Sequence, residues 1–120
     1  MAEPNRIVSN VYPYLRILVQ VRSWQHETLA FIDTGFDGAL AVPSSVVELL
    51  GRPDTSTDWE QADGSVAEAP TYSGSAEVLG LLPLSNVGVV ALGNEYILGR
   101  EILDLFEVTF DHGQRVIVRP

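Results

Sequence analysis

Alternation of apolar and polar side chains sets the fold class of this chain. From Tyr12 to Val21, Leu15, Ile17, Val19 and Val21 are interleaved with Arg16, Gln20 and Arg22. An extended segment with that period has one apolar face and one wet face, the signature of a half-buried strand. Ser23 to His26 reads as a polar corner, and Thr28 to Ile32 as a short second strand that stops at Asp33-Thr34-Gly35. Ala39 to Val42 is strand-like up to Pro43, and Tyr72 to Gly80 and Leu84 to Leu92 are further apolar runs broken by glycine. Tyr96 to Leu98, and a closing hairpin of Glu107 to Phe110 and Arg115 to Arg119 around Asp111-His112-Gly113, complete the set. Helical signals are confined to two places. Ser45 and Glu48 have capping-box spacing around Val46, Val47, Leu49 and Leu50, with Gly51 as the stop, and Glu101 to Leu105 fits one or two turns. Arg52 to Glu60 reads as a polar, turn-rich connection, and Asp63-Gly64 as the centre of a hairpin. About seven short strands with so little helix predict an all-β barrel or sandwich.

At 120 residues the chain fits a single domain, residues 1–120, with one core. Seven basic against sixteen acidic side chains give a formal charge of −9, which opposes phosphate polyanions and excludes nucleic acid and anionic membranes as expected partners. The absence of cysteine excludes disulfides, thiolate metal sites and a cysteine nucleophile, and agrees with a reducing compartment. Met1 to Asn10 lacks a signal-peptide pattern, and no apolar run approaches the roughly 20 residues of a membrane span, so a cytoplasmic protein is expected. Charged residues make up 19%, below the roughly 25% of an average domain, which leaves apolar surface for self-association.

Two stretches carry chemistry. In Phe31-Ile32-Asp33-Thr34-Gly35-Phe36-Asp37-Gly38, a carboxylate follows an apolar run and needs hydrogen bonds from nearby N–H groups and a hydroxyl to stay charged. Alone, this is also an ordinary strand-to-turn junction. In Tyr96-Ile97-Leu98-Gly99-Arg100, the glycine lets another backbone pass close by, and Arg100 can pair with a carboxylate near the first loop, most naturally Asp37. With the Asp63-Gly64 hairpin between them, these stretches resemble the retroviral-type aspartic peptidases, the retropepsins, in sequence order from about Val19 to Val118. The resemblance implies a small closed β-barrel with one or two short helices, acting as a C2 homodimer on a polypeptide substrate without metal or organic cofactor. It further implies that Asp33 is the catalytic carboxylate, that the Thr34 hydroxyl braces paired loops, and that the Gly35 carbonyl meets substrate. Leu98 and Gly99 would pack the second loop, Asp37 and Arg100 would form a structural ion pair, and Asp63 and Gly64 would lie at the tip of a substrate-covering flap beside the substrate-contacting Phe36 and Asp37. Phe36 departs from the small residue usual after the glycine, and Asp-Thr-Gly-Phe-x-Gly looks more like the stand-alone prokaryotic branch.

Peptide hydrolysis of this kind uses two carboxyl groups sharing one site, and the chain carries one Asp-Thr-Gly. If Asp33 is catalytic, a twofold axis must bring a second Asp33 beside the first. Asp111-His112-Gly113 has related spacing, but a hairpin turn accounts for it. His26 and His112 lack metal-ligand spacing, Ser44 and Ser45 are explained by helix capping, and Trp24 and Trp59 by half-burial near loops. The alternative is a retropepsin-like binding or dimerisation module in which Phe36 crowds the cleft and proteolysis is lost; an unrelated small barrel is the third reading.

Overall fold

The computed structural model describes residues 6–120; the remainder of the Met1 to Asn10 start lies outside the described residues. Ten strands and two short helical segments follow the chain in order. They are β1 (Ile7–Ser9), β2 (Tyr14–Val21), β3 (Trp24–Ile32), β4 (Leu40–Val42), a 3₁₀ turn (Ser44–Val46) running into α1 (Val47–Leu50), β5 (Thr55–Glu60), β6 (Val66–Val78), β7 (Leu84–Ala91), β8 (Ile97–Leu98), α2 (Arg100–Leu103), β9 (Glu107–Asp111) and β10 (Arg115–Arg119). Strands β2, β3, β8, β4, β7 and β6 lie side by side in that order, and β6 returns to β2 through Ile17↔Val78 to Gln20↔Ser75. The ring is a closed barrel, which leaves it no free edge. β5 hangs from the outer half of β6 as a hairpin, and β1, β10 and β9 form a separate antiparallel sheet. Among the described residues no helix is long and apolar enough to cross a membrane.

The β2 alternation performs as its period dictates: Leu15, Ile17, Val19 and Val21 are buried in the main core, and Arg16 and Gln20 face out. The central strands behave differently, because both of their faces are covered. Leu40 and Val42 of β4, Val89 and Ala91 of β7, and Leu98 of β8 point into the main core. Their neighbours Ala41, Val90 and Ile97 point outward into a second, smaller cluster with Ala69, Trp59, Leu92 and Phe36. Double-faced burial is why these segments read as continuous apolar runs instead of alternating ones.

Four features differ from the sequence expectation. Trp24 to His26 already belongs to β3; the corner is tighter, at Arg22, whose φ is 55°. The capping box does not form: no side chain caps the helical segment, and the Ser44 hydroxyl instead bonds the Gly93 carbonyl at 3.3 Å. Thr55 to Glu60, expected as a turn-rich connection, is a strand whose Thr57 and Trp59 are half-buried while its other residues stay wet. Only one large apolar side chain marks that strand, so its hydrophobic period was too faint to register. β1 was not anticipated at all; three residues docked on β10 through Ile7↔Val118 carry little periodicity.

Three carboxylates, Asp54 and Asp63 exposed and Asp111 half-buried, tie the periphery together, and each is held below the ordinary value of 3.8. Asp54 accepts the Ser73 N–H at 2.8 Å, the larger cause, and then the Arg22 guanidinium at 3.0 Å. Arg22 also reaches the Leu50 carbonyl, so the β2–β3 turn, the end of α1 and the root of the hairpin share one node. Asp63 is lowered first by the Ser65 hydroxyl, then by the Ser65 N–H, and Asp111 first by His112, then by Arg115. A carboxyl lowered in the folded state stabilises fully above its unfolded value, and that contribution is lost as pH falls through the folded value. The urea midpoint should therefore be level from neutral pH to about pH 5 and fall below about pH 4, with Asp54→Asn flattening the fall. A midpoint unchanged to pH 3 would contradict this account.

Candidate active site

Asp33 is placed by parallel pairing. Phe31 and Ile32 of β3 lie beside Ile97 and Leu98 of β8, and the Asp33 N–H donates to the Leu98 carbonyl at 3.0 Å. The chain then turns: the Phe36 N–H bonds the Asp33 carbonyl at 3.2 Å, and the Gly35 N–H reaches Asp33 Oδ1 at 2.9 Å. A backbone donor thus fixes one carboxylate oxygen of a half-buried side chain. Thr34 and Gly35 are exposed beside it, and Thr34 makes no side-chain hydrogen bond among the described residues.

The Gly35-to-Ala39 loop and the Gly99-Arg100 loop cross at backbone distance. Gly99 N–H donates to the Ala39 carbonyl at 3.0 Å, Arg100 N–H to Phe36 at 2.8 Å, and Glu101 N–H to Gly38 at 3.2 Å. A Cβ at position 99 would run into the Gly38 carbonyl and come within 2.5 Å of the Phe36 ring. A Cβ at position 38 would lie 2.6 Å from Phe36 Cζ and 2.8 Å from Trp59 Cη2. The two glycines make a slot for one aromatic ring. Asp37 and Arg100 come together at 3.4 Å, with Arg100 also 3.8 Å from Asp104. Asp37 is 80% exposed, so the pair is worth under about 1 kcal/mol, and the crossing is held by its backbone bonds instead.

The hairpin of β5 and β6 stands over this crossing. Trp59 packs on Phe36 with ring centroids 5.1 Å apart at 50°. Trp59 Nε1 donates to Thr57 Oγ1 at 2.7 Å, and Thr57 and Thr71 hydroxyls bond each other at 2.7 Å across the two strands. At the tip, Gly64 has φ 86° and the Asp63 carboxylate accepts the Ser65 N–H and hydroxyl at 2.9 and 2.6 Å. Between hairpin and loop lies a cleft of about 610 Å³. Asp33, Gly35, Phe36 and Asp37 form one side, Ala41, Leu92, Gly93 and Ile97 the floor, and Glu60, Gln61 and Ala62 the roof.

The residues singled out in the sequence fall into two groups. Asp33, Gly35, Phe36 and Asp37 share the cleft, whereas Leu98, Gly99 and Arg100 do not line it and instead hold the Asp33 loop from behind through backbone hydrogen bonds. Asp63 and Gly64 sit at the hairpin tip, one step beyond the cleft walls, where Gln61 and Ala62 take the roof positions. The floor residues carry no motif of their own; their signal is the second face of the β4 and β7–β8 apolar segments, legible only once both faces are known to be covered. Trp59 was read as a half-buried loop aromatic and is half-buried in a strand. His26 lies in β3, stacked between Trp24 and Tyr96, and His112 contacts Asp111. Among the described residues no three His, Cys, Asp or Glu side chains gather as a metal-binding group.

No family model matches this chain. Nor does any curated protein. Among solved structures it is similar to a retropepsin-like aspartic protease from Rickettsia conorii, at 18% sequence identity and a TM-score of 0.63, over 94% of this chain and 89% of that one. The chain has the retropepsin-like fold.

The loop crossing is sensitive to a single methyl group. Gly99→Ala must push the Gly38 carbonyl aside, and overpacking of that kind costs about 1–3 kcal/mol. Urea unfolding should show that loss, whereas Gly93→Ala, at a position with open space but φ 80°, measures the cost of backbone strain alone. Equal losses at the two positions would mean that the crossing is looser than its distances indicate.

Proposed function

We propose that two copies of this chain form an aspartic endopeptidase, with one Asp33 from each copy. The observation that carries this reading is the placement of Asp33, whose Oδ1 is held by the Gly35 N–H at the side of a cleft roofed by a β-hairpin. The retropepsin-like fold agrees with it. The chemistry needs a pair. Two carboxyl groups in contact cannot both ionise, so one keeps a proton. The ionised member takes a proton from a water molecule as its oxygen attacks the peptide carbonyl, and the protonated member hydrogen-bonds the carbonyl oxygen as it gains charge. The tetrahedral intermediate breaks its C–N bond as the amine nitrogen receives a proton, releasing a carboxylic acid and an amine. No cofactor is assigned a step.

Supply of the second carboxylate by a twofold partner is supported by the surface beside Asp33. The Ile32 N–H donates to the Pro13 carbonyl at 3.1 Å, which places the Val11-Tyr12-Pro13 segment next to the Asp33 end of β3. Val11 is 49% exposed, and Tyr12 stacks edge-on against Phe110, which is 43% exposed. An isologous contact there would cover apolar side chains while bringing the two Asp33 loops together. The exposed Thr34 hydroxyl and the Gly35 backbone would then face their own copies.

The test is cleavage of a quenched-fluorescent peptide library at several pH values, with sedimentation of the same samples. Activity should fall faster than protein concentration on dilution, as dimers dissociate, and Asp33→Asn should lower it by at least about a hundredfold without changing the melting curve. Cleavage by Asp33→Asn at the parent rate would end the peptidase reading.

A further inference from the structure

We propose that Phe36 sets the size of the substrate side chain: its ring is a fixed wall at the end of the apolar floor, so that the floor takes Ala or Val and turns away Phe or Tyr. The inference rests on the peptidase reading above, and it names the class of substrate, an extended polypeptide with a small apolar residue beside the scissile bond. The floor supplies the chemistry. Ala41, Leu92 and Ile97 offer only hydrocarbon to whatever side chain enters, and Phe36 is the single aromatic side chain among the walls of the cleft.

A wall selects by size only if it cannot move aside. Phe36 is held on every side that a swing would need. Gly38 and Gly99 flank its ring so closely that a Cβ on either would stand 2.6 or 2.5 Å away. Trp59 covers it at 5.1 Å and is itself held by the bond of its Nε1 to Thr57 Oγ1, which is shared with Thr71. The Phe36 backbone is fixed at both ends, by the Asp33 carbonyl and by the Arg100 N–H. A side chain too long for the floor therefore meets a packed ring whose displacement disturbs the Asp33 turn, the Gly99 crossing and the hairpin root together. Trp59 does not line the cleft, yet it holds the wall in place, so it is a positioning residue and its removal should also relax selection.

The experiment uses peptides in which each position in turn carries Ala, Val, Leu or Phe, cleaved by the parent and by Phe36→Ala, Phe36→Leu and Trp59→Ala, each checked by thermal melting. At one position the parent should favour Val over Phe by about tenfold or more in kcat/KM. Phe36→Ala should erase or reverse that ratio, Phe36→Leu should relax it if the Ala variant fails to fold, and Trp59→Ala should weaken it. Binding of the same peptides to Asp33→Asn protein, followed by fluorescence anisotropy, separates the two claims. A size preference in binding that Phe36→Leu relaxes, with no cleavage by the parent, would sink the peptidase reading and leave Phe36 as the size-setting wall. An unchanged preference in folded Phe36→Ala and Phe36→Leu proteins that still cleave would overturn the role of Phe36 and leave the peptidase intact. Neither binding nor cleavage of any peptide would overturn both.

Discussion

Everything near Asp33 depends on two stretches of backbone lying across each other without side chains between them. Three N–H groups from Gly99 to Glu101 are satisfied by carbonyls from Phe36 to Ala39, and the approach they require leaves no space for a Cβ at position 99. A buried backbone group without a partner is costly, so the crossing is held at several points at once. The nearby ion pair of Asp37 and Arg100 is more conspicuous in the sequence, but it stands in solvent, where such pairs contribute little. The glycines and the amide ladder therefore set the geometry, and the charges decorate it. From the crossing follow the direction in which Asp33 emerges, the slot that receives Phe36, and the surface on which the hairpin rests.

The cleft is a consequence of barrel strands covered on both faces. Leu40, Val42, Val89 and Leu98 close the main core, and the side chains between them, Ala41, Val90 and Ile97, would lie bare on the outside of the barrel. The hairpin covers part of that outer face with Trp59 and Ala69 and leaves the rest, with Leu92, as the floor of the cleft. One set of strands thus supplies both the stability of the barrel and an apolar surface beside a carboxylate. Of the residues that line the floor, Ala41 and Ile97 face it because they alternate with the core positions Leu40, Val42 and Leu98 on short strands, and Leu92 and Gly93 follow directly on β7.

What was legible in the sequence follows from this layering. β2 was plain, since one face is core and the other solvent, and a period of two survives unaltered. The Asp33 loop and the Gly99-Arg100 loop were legible as a pair only through their resemblance, in sequence order, to the retropepsins, since either stretch alone reads equally as an ordinary junction. β5 and β1 were not, since a six-residue strand with one large apolar side chain and a three-residue strand at the rim gain their hydrogen bonds from partners far along the chain. The capping box of Ser45 and Glu48 does not form because Ser45 already lies inside the 3₁₀ turn, whose cap position is Pro43, and the helix that follows starts after Val46, so Ser45 stands at neither start. The hairpin tip lies at Asp63-Gly64 as expected, but the cleft roof falls one to three residues before Asp63, at Glu60 to Ala62, because the position of a roof depends on how far a hairpin leans.

The hairpin itself is divided between a fastened root and a self-sufficient tip. At the root, Asp54 joins Arg22 and the Ser73 N–H, Thr57 and Thr71 bond across the strands, and Trp59 docks on Phe36. Beyond Glu60 no large apolar side chain remains until Val66, and the hydrogen bonds of the tip run within it, from Gln61 to Ser65, Gly64 to Gln61, and Ser65 to Asp63. A segment bonded only to itself can be displaced without breaking contacts to the barrel, so its opening costs little compared with separation of the root. The boundary between the two regimes falls at Trp59, which packs on Phe36, and Glu60, the first residue of the roof. The contact of Phe36 with Trp59 therefore also marks where the roof stops being part of the core, and a change at Phe36 acts on a wall of the cleft and on hairpin anchorage at once.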